Sequence, residues 1–330
     1  MLEEEKKHEC YSCNEPLNFG NSSKEHIIHN FLGGRLSSYK LLCKPCNERF
    51  GNTIDKELEQ QIGMFTHHLG VSRQRNNNVN VKLPLISKDG EIRYVGKKLR
   101  PLNELTYLIA EKKIVLHEND ENFEKTKNRK QKELEKKYKV SYSEYIKPPN
   151  NKEKYHIQNK LSNEVGDISF GGSDFFRAIA KIGVNYYLHL GYDKKYCANP
   201  IIFIKGGMEI NDLAYFYYST TTEIHSLDKD EVSHLIHIYG DREAKILYAY
   251  VELFNTENAI IVFDRNYDGP NINETFIYDL INNRPIEKKV QVPLRRHHFD
   301  ILGLIEKSCI HLHQKRFNRL ETIIEKRQLL

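Results

Sequence analysis

Two Cys-x-x-Cys pairs, Cys10/Cys13 and Cys43/Cys46, bracket a stretch too short to bury a core of its own. Each pair offers two thiolates, and four thiolates around one zinc ion close a tetrahedron with no position left for water or substrate. The spacing therefore predicts a structural Zn²⁺ whose binding supplies folding free energy to the segment it fastens. Any chemistry must come from the residues that the staple holds in place. Glu25 and His26 stand between the pairs, in EHIIHNFLGG, and Asn47 directly follows the last cysteine, in LLCKPCNERFG.

In order and spacing these elements (CxxC, then EHI and a Gly-Gly, then LLCxxCN and FG) resemble the Cys-rich branch of the HNH endonucleases. Those are ββα-metal nucleases, in which a β-hairpin and a helix clasp one divalent cation beside a general-base histidine. The resemblance implies that His26 is the base, that Glu25 is an acidic metal ligand and that Asn47 is a second ligand. It also implies that Gly33-Gly34 serve the turn between the two strands, where glycine accepts positive φ without cost. Two positions depart from the pattern. The middle asparagine of the motif, five residues before the third cysteine, is Ser38 here, and His29 stands where the family often has proline. His29 is expected to be half-exposed at the end of a strand.

Physical chemistry supports the same assignment. Phosphodiester hydrolysis needs a water deprotonated near neutral pH, and imidazole titrates there. It also needs charge neutralised at the scissile phosphate and at the leaving oxygen, which one hard divalent ion supplies. A carboxylate and an amide oxygen suit Mg²⁺ or Mn²⁺. Glu25 and His26 are neighbours, so in a strand their side chains face opposite ways, and the resemblance implies a bend at that point. The rival reading is a non-catalytic zinc-finger-like module that binds nucleic acid or protein, with Glu25 and His26 on its surface. A mere staple needs none of Glu25, His26 and Asn47, which weighs against it.

The rest of the chain bounds the setting. With 330 residues, 39% hydrophobic and 29% charged, it has room for a large core under a charge-rich surface. A net charge of +5 is compatible with a polyanionic partner without demanding one. No apolar run is long enough to span a bilayer, and the charged start MLEEEKKHEC lacks the apolar core of a signal peptide. Reduced thiols and a metal site then point to the cytoplasm. Cys197 and Cys309 stand far apart and are expected to be buried small hydrophobes.

Composition divides the chain into a module at 1–62, short strands and a charged helical or linker region at 63–150, and a C-terminal α+β domain at 151–330. The helix of the module is expected to run from Cys46 or Asn47 toward Ile62, with Phe50, Ile54 and Leu58 on its apolar face. Asp55, about 12 Å beyond Asn47 on a straight helix, is expected to be structural. Lys88-Asp89-Gly90 predicts a hairpin. Arg73, Arg75, Lys97, Lys98 and Arg100 are candidate phosphate contacts. Glu124 to Tyr138 can form an exposed charged helix, and Pro148-Pro149 reads as a linker.

In the second half, FFRAIAKIGVNYYLHLGY predicts a central helix, apolar on nearly all sides and capped by Ser173-Asp174. Its polar residues Arg177, Lys181 and Asn185 fall one turn apart and can face a groove. Strands at 200–204, 232–239, 245–253, 259–264 and 274–278 predict an antiparallel meander, and one or two amphipathic helices close the chain at 298–328. His234 and His237 are three apart, on opposite faces of a strand, which argues against a shared metal.

The fold class expected is therefore α+β: an N-terminal ββα-metal module with a zinc site, then a mixed domain of antiparallel strands and helices. The activity implied is metal-dependent cleavage of nucleic acid, double-stranded DNA first, of the kind used in restriction or anti-phage defence. The C-terminal domain would then bind substrate, a protein partner or a second copy of the chain.

Overall fold

The computed structural model describes residues 8–71, 171–210, 213–220 and 223–328 with their side chains, and the backbone of strands between 82 and 146. The chain divides into two compact units, 1–75 with 170–330, and 76–169. In the second of these, β3 (Lys82–Ser87), β4 (Gly90–Val95) and β5 (Lys98–Pro101) form one antiparallel sheet, and Ser87 faces Gly90 where the hairpin is expected. Another sheet joins β6 (Leu105–Leu108) and β7 (Lys113–Leu116), antiparallel, with β8 (Tyr145–Ile146) parallel to β7. Arg73, Arg75 and Lys97, the charged stretch at 124–138 and Pro148-Pro149 lie outside the described residues, as do the side chains of Lys98 and Arg100 on β5.

The larger unit opens with β1 (Glu25–His26) and β2 (Ser37–Ser38), antiparallel, with Glu25 opposite Ser38. Gly33 takes φ +89° in the connection, and a Cβ on Gly34 would stand 1.9 Å from the Ile28 carbonyl oxygen. Glycine is thus required there on both counts. The single helix expected after Cys46 is instead two, α1 (Lys44–Asn52) and α2 (Ile54–His68). They break at Thr53 (φ −120°, ψ −97°), whose hydroxyl donates back to the Arg49 carbonyl. This competition of a short hydroxyl side chain with the backbone ladder ends α1.

Helix α3 (Ser173–His189) is the centre of the unit. It starts at Ser173 itself, with Gly172 as the cap, two residues earlier than its sequence suggests. One side packs on α2 of the module and the other on the strands of a six-stranded sheet, which explains its apolar residues all round. A Cβ on Gly183 would come within 2.9 Å of the Ala249 Cβ, so the missing side chain sets how closely α3 approaches the sheet.

The sheet is antiparallel and comprises β9 (Ala214–Phe216), β10 (Ser233–Asp241), β11 (Ile246–Leu253), β12 (Glu257–Asp264), β13 (Ile272–Asp279) and β14 (Arg284–Ile286). Its order is β14-β13-β10-β11-β12-β9, so the expected meander holds only for β10 to β12, and β13 crosses to pair with β10. Every residue of β11 is buried, because α3 covers one face and a second core including Leu235, Tyr248, Tyr250, Ile260 and Phe299 covers the other.

Residues 200–204, read as a strand, belong to helix α4 (Ala198–Ile204). Pro200, Ile201, Phe203 and Ile204 are buried while Ile202 points out. A short apolar run does not by itself distinguish the two periodicities. The chain closes with α5 (Leu302–Cys309) and α6 (His311–Gln328). Among the described residues no helix is long and apolar enough to cross a membrane.

The module is part of this core. Phe65 of α2 meets Phe254 edge-on at 5.4 Å and Phe317 of α6 at 5.8 Å. His234 Nε2 donates to the Leu32 carbonyl at 2.9 Å, and the Gln61 amide exchanges two hydrogen bonds with the Gly171 backbone.

Candidate active site and metal centre

The two Cys-x-x-Cys segments are each shaped by local backbone bonds. Asn14, at φ +62°, turns the first so that its N–H donates to the Cys10 carbonyl at 2.8 Å. In the second, Cys43 caps α1, Pro45 is its second residue, where no amide hydrogen is needed, and Cys46 also lies in the first turn. The segments are tied by Tyr11 N–H to the Leu41 carbonyl, 3.0 Å, and by the Arg49 guanidinium to Ser12 Oγ, 2.9 Å.

The sulfurs of Cys10, Cys13, Cys43 and Cys46 consequently lie within 4.8 Å of one another, with Cys13 and Cys43 3.7 Å apart. Zn–S bonds of about 2.3 Å at tetrahedral angles require sulfur separations of about 3.8 Å. Burial pushes the Cys46 thiol up to about 12, so a cation is needed to hold this sulfur as thiolate. Among the described residues this is the one cluster of its kind. The residues fit zinc.

Alternation along β1 sends Glu25 inward and leaves His26 half-buried on the other side. Glu25 enters a network that the module shares with α3. Lys181 Nζ lies 2.6 Å from Glu25 Oε1 and 2.7 Å from Asp55 Oδ2, and Asn185 Nδ2 donates to Glu25 Oε1 at 2.9 Å. Asp55 Oδ1 is 2.8 Å from His29 Nε2. All five side chains are buried.

Burial alone would drive Lys181 toward the neutral amine. The carboxylates of Asp55 and Glu25 reverse that and raise its pKa above the ordinary lysine value, so it stays an ammonium. Burial likewise opposes the Asp55 charge, and its contacts with His29 and the Lys181 ammonium outweigh it, holding the carboxyl well below the usual range. Burial, then the charges of Glu25 and Asp55, raises the Tyr11 phenol well above its ordinary value. The Tyr11 hydroxyl, His29 Nδ1 and Asn185 Oδ1 are buried without a hydrogen-bond partner among the described residues.

Asn47 is half-buried on α1, and its Nδ2 donates to Ser23 Oγ at 2.7 Å, leaving Oδ1 for another contact. Ser38 is buried on β2, and its Oγ accepts from the Lys40 amide at 3.1 Å. His29, expected half-exposed, is buried because Asp55 and the Phe31 ring, 5.0 Å away, enclose it.

Asp55 thus belongs to the Glu25 network, which the straight-helix estimate could not show. The chain breaks at Thr53, and α2 carries Asp55 in its first turn, against α3. Lys181 and Asn185 had a sequence signal, as polar residues on an otherwise apolar helix, but no sequence feature named their partners.

Residues 10–63 match the family described as HNH endonuclease. No curated protein and no solved structure matches the chain.

Proposed function

We propose, from the premise that residues 10–63 are an HNH endonuclease domain, that the chain is a metal-dependent endonuclease acting on DNA, as in restriction or anti-phage defence. The observation that carries this reading is the buried Glu25 carboxylate, oriented by Lys181 and Asn185, next to a half-buried His26 that faces the other way. An acidic group shielded from water and fixed by two donors suits a ligand, and a neighbouring imidazole nearer the surface suits a base.

In this reading Glu25 and the Oδ1 of Asn47 hold Mg²⁺ or Mn²⁺, and their oxygens match the preference of such hard ions. The ion, when bound, neutralises charge at the scissile phosphate and the leaving oxygen. His26 takes the proton of the attacking water. Lys181 and Asn185 fix the Glu25 carboxylate, and Ser23 fixes the Asn47 amide through Nδ2. The four cysteines carry zinc and hold β1, β2 and α1 in register.

The test is cleavage of supercoiled plasmid by the zinc-loaded protein with Mg²⁺, Mn²⁺ or neither. Cleavage that requires the added ion is expected. His26→Ala should abolish it while zinc content, fold and DNA affinity stay near wild type. Glu25→Ala and Asn47→Ala should recover part of their activity at high metal concentration, since mass action offsets a lost ligand but not a lost proton acceptor. Cleavage by His26→Ala at the wild-type rate would move the base elsewhere, and no cleavage by wild type under any metal would favour a binding module.

A further inference from the structure

The two amide atoms of Asn185 fare differently. Nδ2 donates to Glu25 Oε1, whereas Oδ1 is buried with no partner among the described residues, on a residue with 0% exposure. Buried polar atoms in native proteins are nearly always satisfied, so a bare one beside a carboxylate points to something that binds there. The Tyr11 hydroxyl is a second such atom.

Charge points the same way. Two buried carboxylates, Glu25 and Asp55, share one ammonium, Lys181. Their formal sum is one negative charge in a site from which water is largely excluded, and a cation relieves it. Lys181 and Asn185 both bond Glu25 through Oε1, so these bonds leave Oε2 for another partner.

The hairpin adds a third point. Ser38 is the residue directly across from Glu25, it is buried, and its short hydroxyl accepts from the Lys40 amide. The amide group beside Glu25 arrives instead from α3, 160 residues away in sequence.

We infer that Asn185 is a ligand of the catalytic ion: its Oδ1 and the Glu25 carboxylate bind one Mg²⁺ or Mn²⁺, so that the metal site is divided between the module and helix α3. This rests on the metal-dependent reading proposed for the same site. An amide oxygen and a carboxylate are hard donors of the kind these ions select.

The test follows the electron paramagnetic resonance of free Mn²⁺ titrated into the zinc-loaded, full-length protein. Wild type should bind Mn²⁺ and release it to Mg²⁺. Asn185→Ala should lose about tenfold or more in affinity, at least the loss that follows when an outer-shell partner is removed, with zinc content and circular dichroism unchanged. Ser38→Asn in the Asn185→Ala background should restore binding by offering an amide from the position facing Glu25. Asn185→Asp, which keeps an oxygen at the site, should bind at least as well as wild type, and it decides the matter if Asn185→Ala fails to fold. Wild-type affinity in Asn185→Ala, with Glu25→Ala still defective, overturns the ligand role alone and leaves Oδ1 to a buried water. A tenfold loss in a folded Asn185→Asp overturns it too. A wild-type protein that binds no Mn²⁺ overturns the metal-dependent reading with it.

Discussion

Lys181 meets Glu25 at 2.6 Å inside the protein, with 1% of the lysine side chain and 5% of the glutamate side chain exposed. The same ammonium holds Asp55, so two acidic side chains of the module share a single positive charge from α3.

Removing that charge leaves two buried carboxylates without their shared counter-ion. Lys181→Met, close in volume, should destabilise the protein by about 3–5 kcal/mol, the usual cost of stranding a buried charge. Urea unfolding of wild type and variant measures it. An unchanged midpoint would mean that other groups carry the neutralisation. The double variant Lys181→Met/Asp55→Asn should recover part of the loss, because one stranded charge is then gone.

Zinc should be present at about one ion per chain, since the four-sulfur site supplies folding free energy. Cys10→Ser or Cys43→Ser should yield insoluble or protease-sensitive protein. Elemental analysis that found no zinc in soluble, folded protein would rule the staple out.

Stability should fall on mild acidification, and His234 supplies the reason. Its Nε2–H donates to the Leu32 carbonyl and its Nδ1 accepts from the Phe254 amide, so the folded protein holds the neutral ring. Burial lowers its pKa from 6.5 to about 4. The unfolded chain therefore binds the proton first. The stabilisation is complete above pH 6.5, drains away as pH falls toward 4, and amounts to about 3 kcal/mol for this residue. His237, also lowered by burial to about 4, adds in the same direction. His225 and His313 are raised despite burial, through Glu252 and Glu257 respectively, and their contribution is already full below pH 6.5. Urea midpoints at pH 6.5, 5.5 and 4.5 isolate the lowered histidines. A flat series would contradict the neutral-ring assignment.

Arg73, Arg75, Lys97, Lys98 and Arg100 are proposed to include phosphate contacts, from their charge and place in the sequence. Replacing all five should weaken DNA binding for every sequence and flatten its salt dependence. Unchanged affinity and salt slope would make them a solvated surface.

The module was legible because its information is local. Cysteine spacing, the Glu25-His26 pair and Gly33-Gly34 all act within a short stretch of chain, where residue type and backbone geometry correspond directly. The strand pairs β10 to β12 were legible for the same reason. What could not be read depends on distant packing. Lys181 and Asn185 showed as polar residues on an apolar helix, yet only the packing of α3 between α2 and the sheet gives them Glu25 and Asp55. Asp55 itself was obscured by one residue, Thr53, whose break reorients everything after it. His29, expected to be half-exposed, is buried because part of its cover comes from that second helix through Asp55. Residues 200–204 went wrong for want of periodicity, since five consecutive positions with several apolar residues suit either a strand or a helix.

The unit containing the module is interrupted by the segment 76–169 and resumes with α3. Chain synthesis therefore delivers the acidic residues long before their counter-charge: Asp55 precedes Lys181 by 126 residues, and Glu25 precedes Asn185 by 160. A ribosome that has released the whole four-cysteine module has still not made the helix that supplies its counter-charge. Until α3 emerges and docks, the nascent chain carries Glu25 and Asp55 with neither the ammonium nor the amide that orders them. The site is thus completed late in synthesis, and truncated chains ending before α3 lack it.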